Sequence, residues 1–157
     1  MSDQQFIEKA INLAKENIRA GGRPFGAVIV KDNTIIACGV NQIVQQGDPT
    51  AHAELQALRA ASKALGKVNL ADCTVYASGQ PCPMCLAAIR MVGIKRVFYA
   101  YSNQDAAPFG LSTEQLAQQL RSPPQQQQDF AFIQLKLTPQ VELYQLWQQQ
   151  RQSSIKS

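Results

Sequence analysis

The 157-residue chain is poor in histidine: it has one, His52. Whatever imidazole does here, it does at that position. A disulfide framework is also missing. Of four cysteines, Cys82 and Cys85 form a single Cys-x-x-Cys pair. Cys38 and Cys73 lie inside apolar, strand-like runs and are expected to be buried thiols. No apolar run reaches membrane-spanning length, so no membrane partner is expected. The start, Met1-Ser2-Asp3-Gln4-Gln5, is polar and lacks a signal-peptide pattern, which makes the cytoplasm the expected location. Dense basic clusters are absent as well. Net charge is +4 with a sequence pI of about 9.0, yet Lys95-Arg96 is the only adjacent cationic pair. A nucleic-acid groove would carry closer-set Lys and Arg interleaved with aromatics, so a nucleic-acid partner is not expected. No internal repeat and no second domain are visible, and residues 1–157 read as one domain with room for a real core.

What is present is a metal-ligand set. His52-Ala53-Glu54 is followed by Pro81-Cys82-Pro83-Met84-Cys85. Either fragment alone has a plain explanation, a structural histidine or a redox pair. Together His52, Cys82 and Cys85 are an N/S/S donor set that suits Zn²⁺, one ion per chain. Three protein ligands leave a fourth position to water, as catalytic rather than structural zinc sites do. Glu54, two residues past the histidine, is placed to act as base toward that water. Both halves fall where helices should begin, Asp48-Pro49-Thr50 before the first and Ser78, Gly79 and Pro81 before the second. Helix N-termini favour thiolate and oxyanion charge.

Along the chain, residues 2–20 form an amphipathic helix with a Ser2/Gln5 capping box. Phe6, Ile7, Ala10, Ile11, Ala14 and Ile18 make its core face. Residues 25–31 and 34–40 make a hairpin about Asp32-Asn33. A polar loop leads to the His52 helix, which Gly66 ends. Residues 73–77 and 96–101 are the third and fourth strands, with the Cys82 helix between them. Residues 102–111 read as an irregular loop. Ser112 and Gln115 suggest a capping box for a helix reaching about Arg121. The glutamine tract 125–128 is a solvated loop. Residues 130–137 read as a fifth strand. Thr138-Pro139 caps a last helix to about Gln150, after which the chain frays. Later strands alternate with helices and should be parallel with right-handed crossovers. The expected fold is a three-layer α/β/α domain with a five-stranded mixed sheet. Ligands in such sheets bind beyond the strand carboxyl ends, where both halves of the zinc motif meet.

This order, with the H-x-E and P-C-x-x-C motifs, resembles the cytidine and deoxycytidylate deaminase superfamily over nearly the whole chain. Pro24-Phe25-Gly26-Ala27-Val28-Ile29-Val30, Asp48-Pro49-Thr50-Ala51-His52-Ala53-Glu54 and Pro81-Cys82-Pro83-Met84-Cys85 look most like bacterial guanine deaminases. The resemblance implies that His52, Cys82 and Cys85 hold zinc and that Glu54 shuttles protons. It implies that Asn41 hydrogen-bonds the base and that Phe25 lies beside it. The plain alternatives are a turn for Asn41 and strand core for Phe25. The implied activity is hydrolytic deamination of a free nucleobase, guanine or a related aminopurine. A tRNA adenosine deaminase or a cytosine/cytidine deaminase is the alternative.

Three departures bear on the substrate. Guanine deaminases of this type carry an acidic pair in a Gly-Phe-Asp-Asp stretch, where this chain reads Phe109-Gly110-Leu111-Ser112-Thr113. Gln80 stands where Glu usually precedes the Pro-Cys. The terminal Tyr of the family is replaced by Ile155-Lys156-Ser157. Rim candidates for selectivity are therefore Asn41, Asp105 and Phe109. Close relatives pair through surfaces beside the active site, and Leu143, Tyr144, Leu146 and Trp147 offer such a face, so a homodimer is expected.

Overall fold

The structure is a computed structural model that describes residues 1–137 and 142–156. Two compact units are present, 1–121 and 122–157.

The first unit is built on one mixed sheet. Helix α1 (Asp3–Arg19) leads into strands β1 (Gly26–Lys31) and β2 (Thr34–Val40). The short α2 (Ile43–Gln46) and α3 (Ala53–Leu65) precede β3 (Thr74–Gly79). Helix α4 (Pro83–Met91) joins β3 to β4 (Val97–Tyr101). The strand order is β2-β1-β3-β4. β1 is antiparallel to both β2 and β3, whereas β3 and β4 are parallel across the α4 crossover.

Local chemistry explains the elements. The Ser2 hydroxyl accepts the Gln5 N–H and the Gln5 side chain accepts the Ser2 N–H, so α1 starts on a full capping box. The hairpin turns through Asp32 and Asn33, both with positive φ, as a two-residue turn requires. Gly66 ends α3 in the left-handed region at φ 66°.

Alternation along β1 makes two cores. Val28 and Val30 face α1 and pack with Phe6, Ala10 and Tyr76. Ala27 and Ile29 face the other way, onto Ala53, Ala57 and Leu58 of α3 and Ile89 of α4. Helices thus cover both faces of the sheet, as three layers require. Each fully buried Val, Ile or Phe contributes roughly 1.5–3 kcal/mol. Gly39 lets the start of α3 lie directly on β2, because a Cβ there would collide with the Ala53 carbonyl oxygen. That close approach brings the N-terminus of α3, where His52 is the N-cap, down onto β2.

Several expectations are corrected. Among the described residues the sheet has four strands, not five. Residues 130–137 pair with no strand among the described residues, and Phe132, Ile133, Leu135 and Leu137 are exposed. Their apolar pattern lacks the neighbouring strand that would satisfy the backbone. Cys73 is buried, but Cys38 is exposed, because it sits on edge strand β2. Ile18 is not core: it is 52% exposed and borders an open cavity. Asn17 takes the buried place on that turn of α1.

Residues 102–111 are not irregular. Ser102 and Asp105 form a capping box for α5 (Asn103–Ala106), followed by a 3-10 turn over Ala107–Phe109. Helix α6 (Glu114–Gln119) starts after Thr113 without a side-chain cap, so the Ser112/Gln115 box does not form. The Ser112 hydroxyl accepts the Glu114 N–H instead.

In the second unit a 3-10 turn spans Pro124–Gln126 and helix α7 runs Leu143–Lys156, past the expected end near Gln150. Thr138-Pro139 lies outside the described residues. No helix among the described residues is long and apolar enough to cross a membrane.

Candidate metal centre and active site

His52 and Cys82 occupy equivalent places, the N-cap positions of α3 and α4. Neither side chain caps its own helix, which leaves both free for a ligand. Pro83 sits in the first turn of α4, where its missing N–H costs nothing. One turn further on, Cys85 is brought beside Cys82. The segment 41–51, which contains α2, holds His52 in place: Gln42 N–H donates to the Ala51 carbonyl at 2.8 Å, and Asp48 accepts from both Thr50 N–H and its hydroxyl.

His52 Nδ1 lies 3.4 Å from Cys82 Sγ and 3.5 Å from Cys85 Sγ. All three donor atoms lie within 4.8 Å of one another. Tetrahedral bonds of ~2.0–2.1 Å to nitrogen and ~2.3 Å to sulfur would place a zinc site's N and S atoms about 3.6 Å apart. The observed separations and the N/S/S chemistry therefore fit zinc.

The charges are arranged accordingly. A hydrogen bond from Cys85 and then the His52 imidazole hold the Cys82 thiol well below its ordinary range. As the donor in that pair, Cys85 is pushed up. The same Cys82 contact raises His52, against its burial and the Arg23 charge. Burial pushes the Glu54 carboxyl up, opposed by a hydrogen bond from Cys85. One thiolate is thus already favoured at the site, helped by the N-terminus of α4.

His52, Glu54 and Cys82 line a cavity of about 200 Å³ bordered also by Arg23, Phe25, Asn41, Gln80, Ser112 and Thr113. Glu54 is buried, at 7% exposure, and is the one carboxylate on its walls among the described residues. Asn41 is buried too. Its Oδ1 accepts the Ile43 N–H at 3.1 Å, so the turn explanation holds for the oxygen. Phe25 borders this cavity and a second one of about 370 Å³.

Asp105 and Phe109 border only the larger cavity. The Asp105 carboxylate accepts from the Ser102 N–H and hydroxyl at 2.8 and 3.0 Å, which lowers its pKa. Phe109 is 78% exposed. The structure therefore brings His52, Glu54, Cys82, Cys85, Asn41 and Phe25 together and leaves Asp105 and Phe109 next door.

Asn17 escaped the sequence reading. Its Nδ2 donates to the Arg23 carbonyl at 2.8 Å and the Asn41 carbonyl at 2.7 Å, tying α1 to two segments of the cavity wall. The signal was there: a polar residue three positions after Ala14 on an apolar helical face. Gln80, Asn103 and Thr113 were likewise invisible as a group, being joined only by the fold.

Residues 1–101 match the family described as the cytidine and deoxycytidylate deaminase zinc-binding region. A curated guanine deaminase of Bacillus subtilis is 44% identical over 148 residues, covering 94% of each chain. A crystal structure of guanine deaminase from Bacillus subtilis superposes with a TM-score of 0.87 at 43% identity, covering 95% of each chain. A tRNA-specific adenosine deaminase of Buchnera aphidicola is 44% identical over 98 residues, 62% of this chain and 60% of its own length. The three-layer fold, the motif spacing and these matches agree: the chain belongs to the cytidine and deoxycytidylate deaminase zinc-binding family.

Proposed function

We propose that the protein is a zinc-dependent deaminase of a free purine base, with guanine the first candidate. The observation that carries this reading is the similarity to a guanine deaminase across 94% of both chains. The similarity to the tRNA deaminase covers less of each chain. The small cavity, with one buried carboxylate beside the donor set, suits a free base.

His52, Cys82 and Cys85 would hold the ion. Zinc so held supplies Lewis acidity that lowers the pKa of a water to about 7. Glu54 would take a proton from the attacking water and pass it to a ring nitrogen of the base. Water's oxygen adds at the ring carbon bearing the amine, a C–O bond forms, and the C–N bond then breaks. Glu54 would then take the second proton, from the added hydroxyl, and give it to the departing nitrogen, which leaves as ammonia while the carbonyl forms. A carboxylate in a desolvated wall suits a group that must accept and donate within one turnover. Asn41 would hydrogen-bond the base and Phe25 would pack on its ring. Asp105 and Phe109 are assigned to the rim of the adjoining cavity, outside the reacting one.

The same reading makes the chain one deaminase domain, cytoplasmic and homodimeric. Leu143, Tyr144, Leu146 and Trp147 are exposed on α7, an apolar face that a second copy would cover.

One observation favours a neighbouring base over guanine. Ser112 and Thr113 line the cavity wall where the resemblance implies an acidic pair, and the ring N–H and amine of guanine are donors that need acceptors. Ammonia release should be measured from guanine, adenine, cytosine, diaminopurine, their nucleosides and tRNA. Turnover of tRNA alone would overturn the free-base reading. Turnover of another free purine would move the substrate and keep the class.

A further inference from the structure

We propose that Asn103 is a positioning residue that holds the substrate-facing wall of the zinc cavity in register. The inference rests on the deaminase reading above.

Asn103 does not border the zinc cavity itself, but it contacts two residues that do. Its backbone N–H donates to Gln80 Oε1 at 2.9 Å. Its side-chain Oδ1 accepts from the Thr113 N–H at 3.2 Å and from the Thr113 hydroxyl at 3.4 Å. Its Nδ2 faces Glu114 Oε2 at 3.5 Å. Asn103 is buried, at 8% exposure, so these partners satisfy a side chain that water does not reach.

The three segments joined are far apart in sequence. Gln80 lies in the turn from β3 to α4, two residues before Cys82. Its own N–H donates to the Tyr101 carbonyl at 2.7 Å. Asn103 opens α5 after β4. Thr113 ends the loop before α6. Loop 110–113 contributes Gly110, Leu111, Ser112 and Thr113 to the cavity and has no strand or helix of its own to fix it. Leu111 N–H donates to the Ala106 carbonyl at 3.2 Å, and the Asn103 side chain ties the loop's other end, at Thr113, to the start of α5.

The chemistry of the clamp matters for selectivity. An amide offers an acceptor to Thr113 and a donor to Glu114 at once. Thr113 Oγ1 points its proton at Asn103 when it makes this bond, so its lone pairs are what the oxygen presents elsewhere. Gln80 spends its oxygen on Asn103 and keeps its NH₂ group. The wall thus has defined donors and acceptors rather than freely rotating ones. A base edge is read by such fixed groups, and loosening them lowers binding before it lowers the chemical step.

The test uses the full-length zinc-loaded protein and the base that wild type turns over best in the panel above. Asn103→Ala should raise KM about tenfold, the loss expected for one positioning hydrogen bond, with kcat within about twofold. Zinc content should be unchanged. Asn103→Asp, paired with Glu114→Gln so that no second carboxylate faces it, retains the acceptor for Thr113 and should return KM toward wild type. Hydrogen–deuterium exchange gives a readout independent of substrate: the Thr113 amide should lose protection in the Ala variant and keep it in the Asp variant. Should Asn103→Ala not fold, Asn103→Ser carries the same expectations, because its hydroxyl is too short to reach Thr113. Unchanged KM and unchanged Thr113 protection would overturn the proposal. So would a parallel fall in kcat and zinc content, which would make Asn103 merely structural. A wild type that does not act on guanine would instead overturn the substrate assignment, and the exchange result would stand apart from it.

Discussion

His52 Nδ1 stands 3.4 Å from Cys82 Sγ, although thirty positions separate the two residues. Both are N-cap residues, of α3 and α4, so two helix starts converge on one point beyond the sheet. The purified protein should carry about one zinc per chain. Metal analysis of protein made with zinc available checks this. His52→Ala or Cys82→Ala should lose both metal and turnover, and a variant keeping full zinc would remove that residue from the ligand set.

Glu54→Gln separates base from ligand. The glutamine keeps the size of the side chain but cannot carry the proton. Zinc content and thermal midpoint should hold, while kcat falls by about 10²- to 10⁴-fold. Near-normal turnover would mean that another group moves the protons.

Asn17 has a structural role with a consequence at the site. Asn17→Ala removes the donor from the buried Asn41 carbonyl and from the Arg23 carbonyl. Stability should drop by about 1–3 kcal/mol, the cost of leaving the buried Asn41 carbonyl unpaired, whereas the Arg23 carbonyl keeps the Phe25 N–H. Urea unfolding measures it, and a loss below the experimental error would show that water replaces the amide.

Tyr76 sets an alkaline limit. Burial first, and then a hydrogen bond to the Asp3 carboxylate, raise its phenol to about 12. The raised group adds stability that is fully present below its unfolded value near 10 and is lost as pH rises through 12. Wild type should therefore lose stability more steeply than Tyr76→Phe over that interval. Parallel curves for the two proteins between pH 10 and 12 would contradict the shift.

The neutral wall at Ser112 is open to a gain-of-function test. Guanine presents a ring N–H and an amine, both donors. Ser112→Asp supplies an acceptor on the cavity wall and should raise the rate for guanine relative to adenine and cytosine. Equal ratios in a variant that folds and binds zinc would place selectivity elsewhere.

The exposed Leu143, Tyr144 and Trp147 should draw two copies together. Sedimentation at micromolar concentration should find a dimer, and Trp147→Glu should weaken it. A wild-type monomer would leave α7 to cover some other surface.

The residues alone determined the chemistry. One histidine, one Cys-x-x-Cys pair and Glu54 leave little choice of ligand or base, because few side chains bind zinc or carry protons. Local rules also set the Ser2 cap, the Asp32-Asn33 turn and the four strands of the sheet, since these depend on neighbours in the chain. Tertiary structure decided the rest. Residues 130–137 have a strand's pattern, but a strand exists only where another pairs with it. Cys38 and Ile18 look like core, yet an edge strand and an open cavity leave them exposed. Asp105 and Phe109 lie in the expected loop, but the Ser102 cap coils that loop into α5 and turns both residues to the adjoining cavity. Asn103 shows the limit most plainly. Its partners Gln80 and Thr113 lie 23 positions before it and 10 after it. Only packing of β4 beside β3 brings their hydrogen-bonding groups within reach of one another.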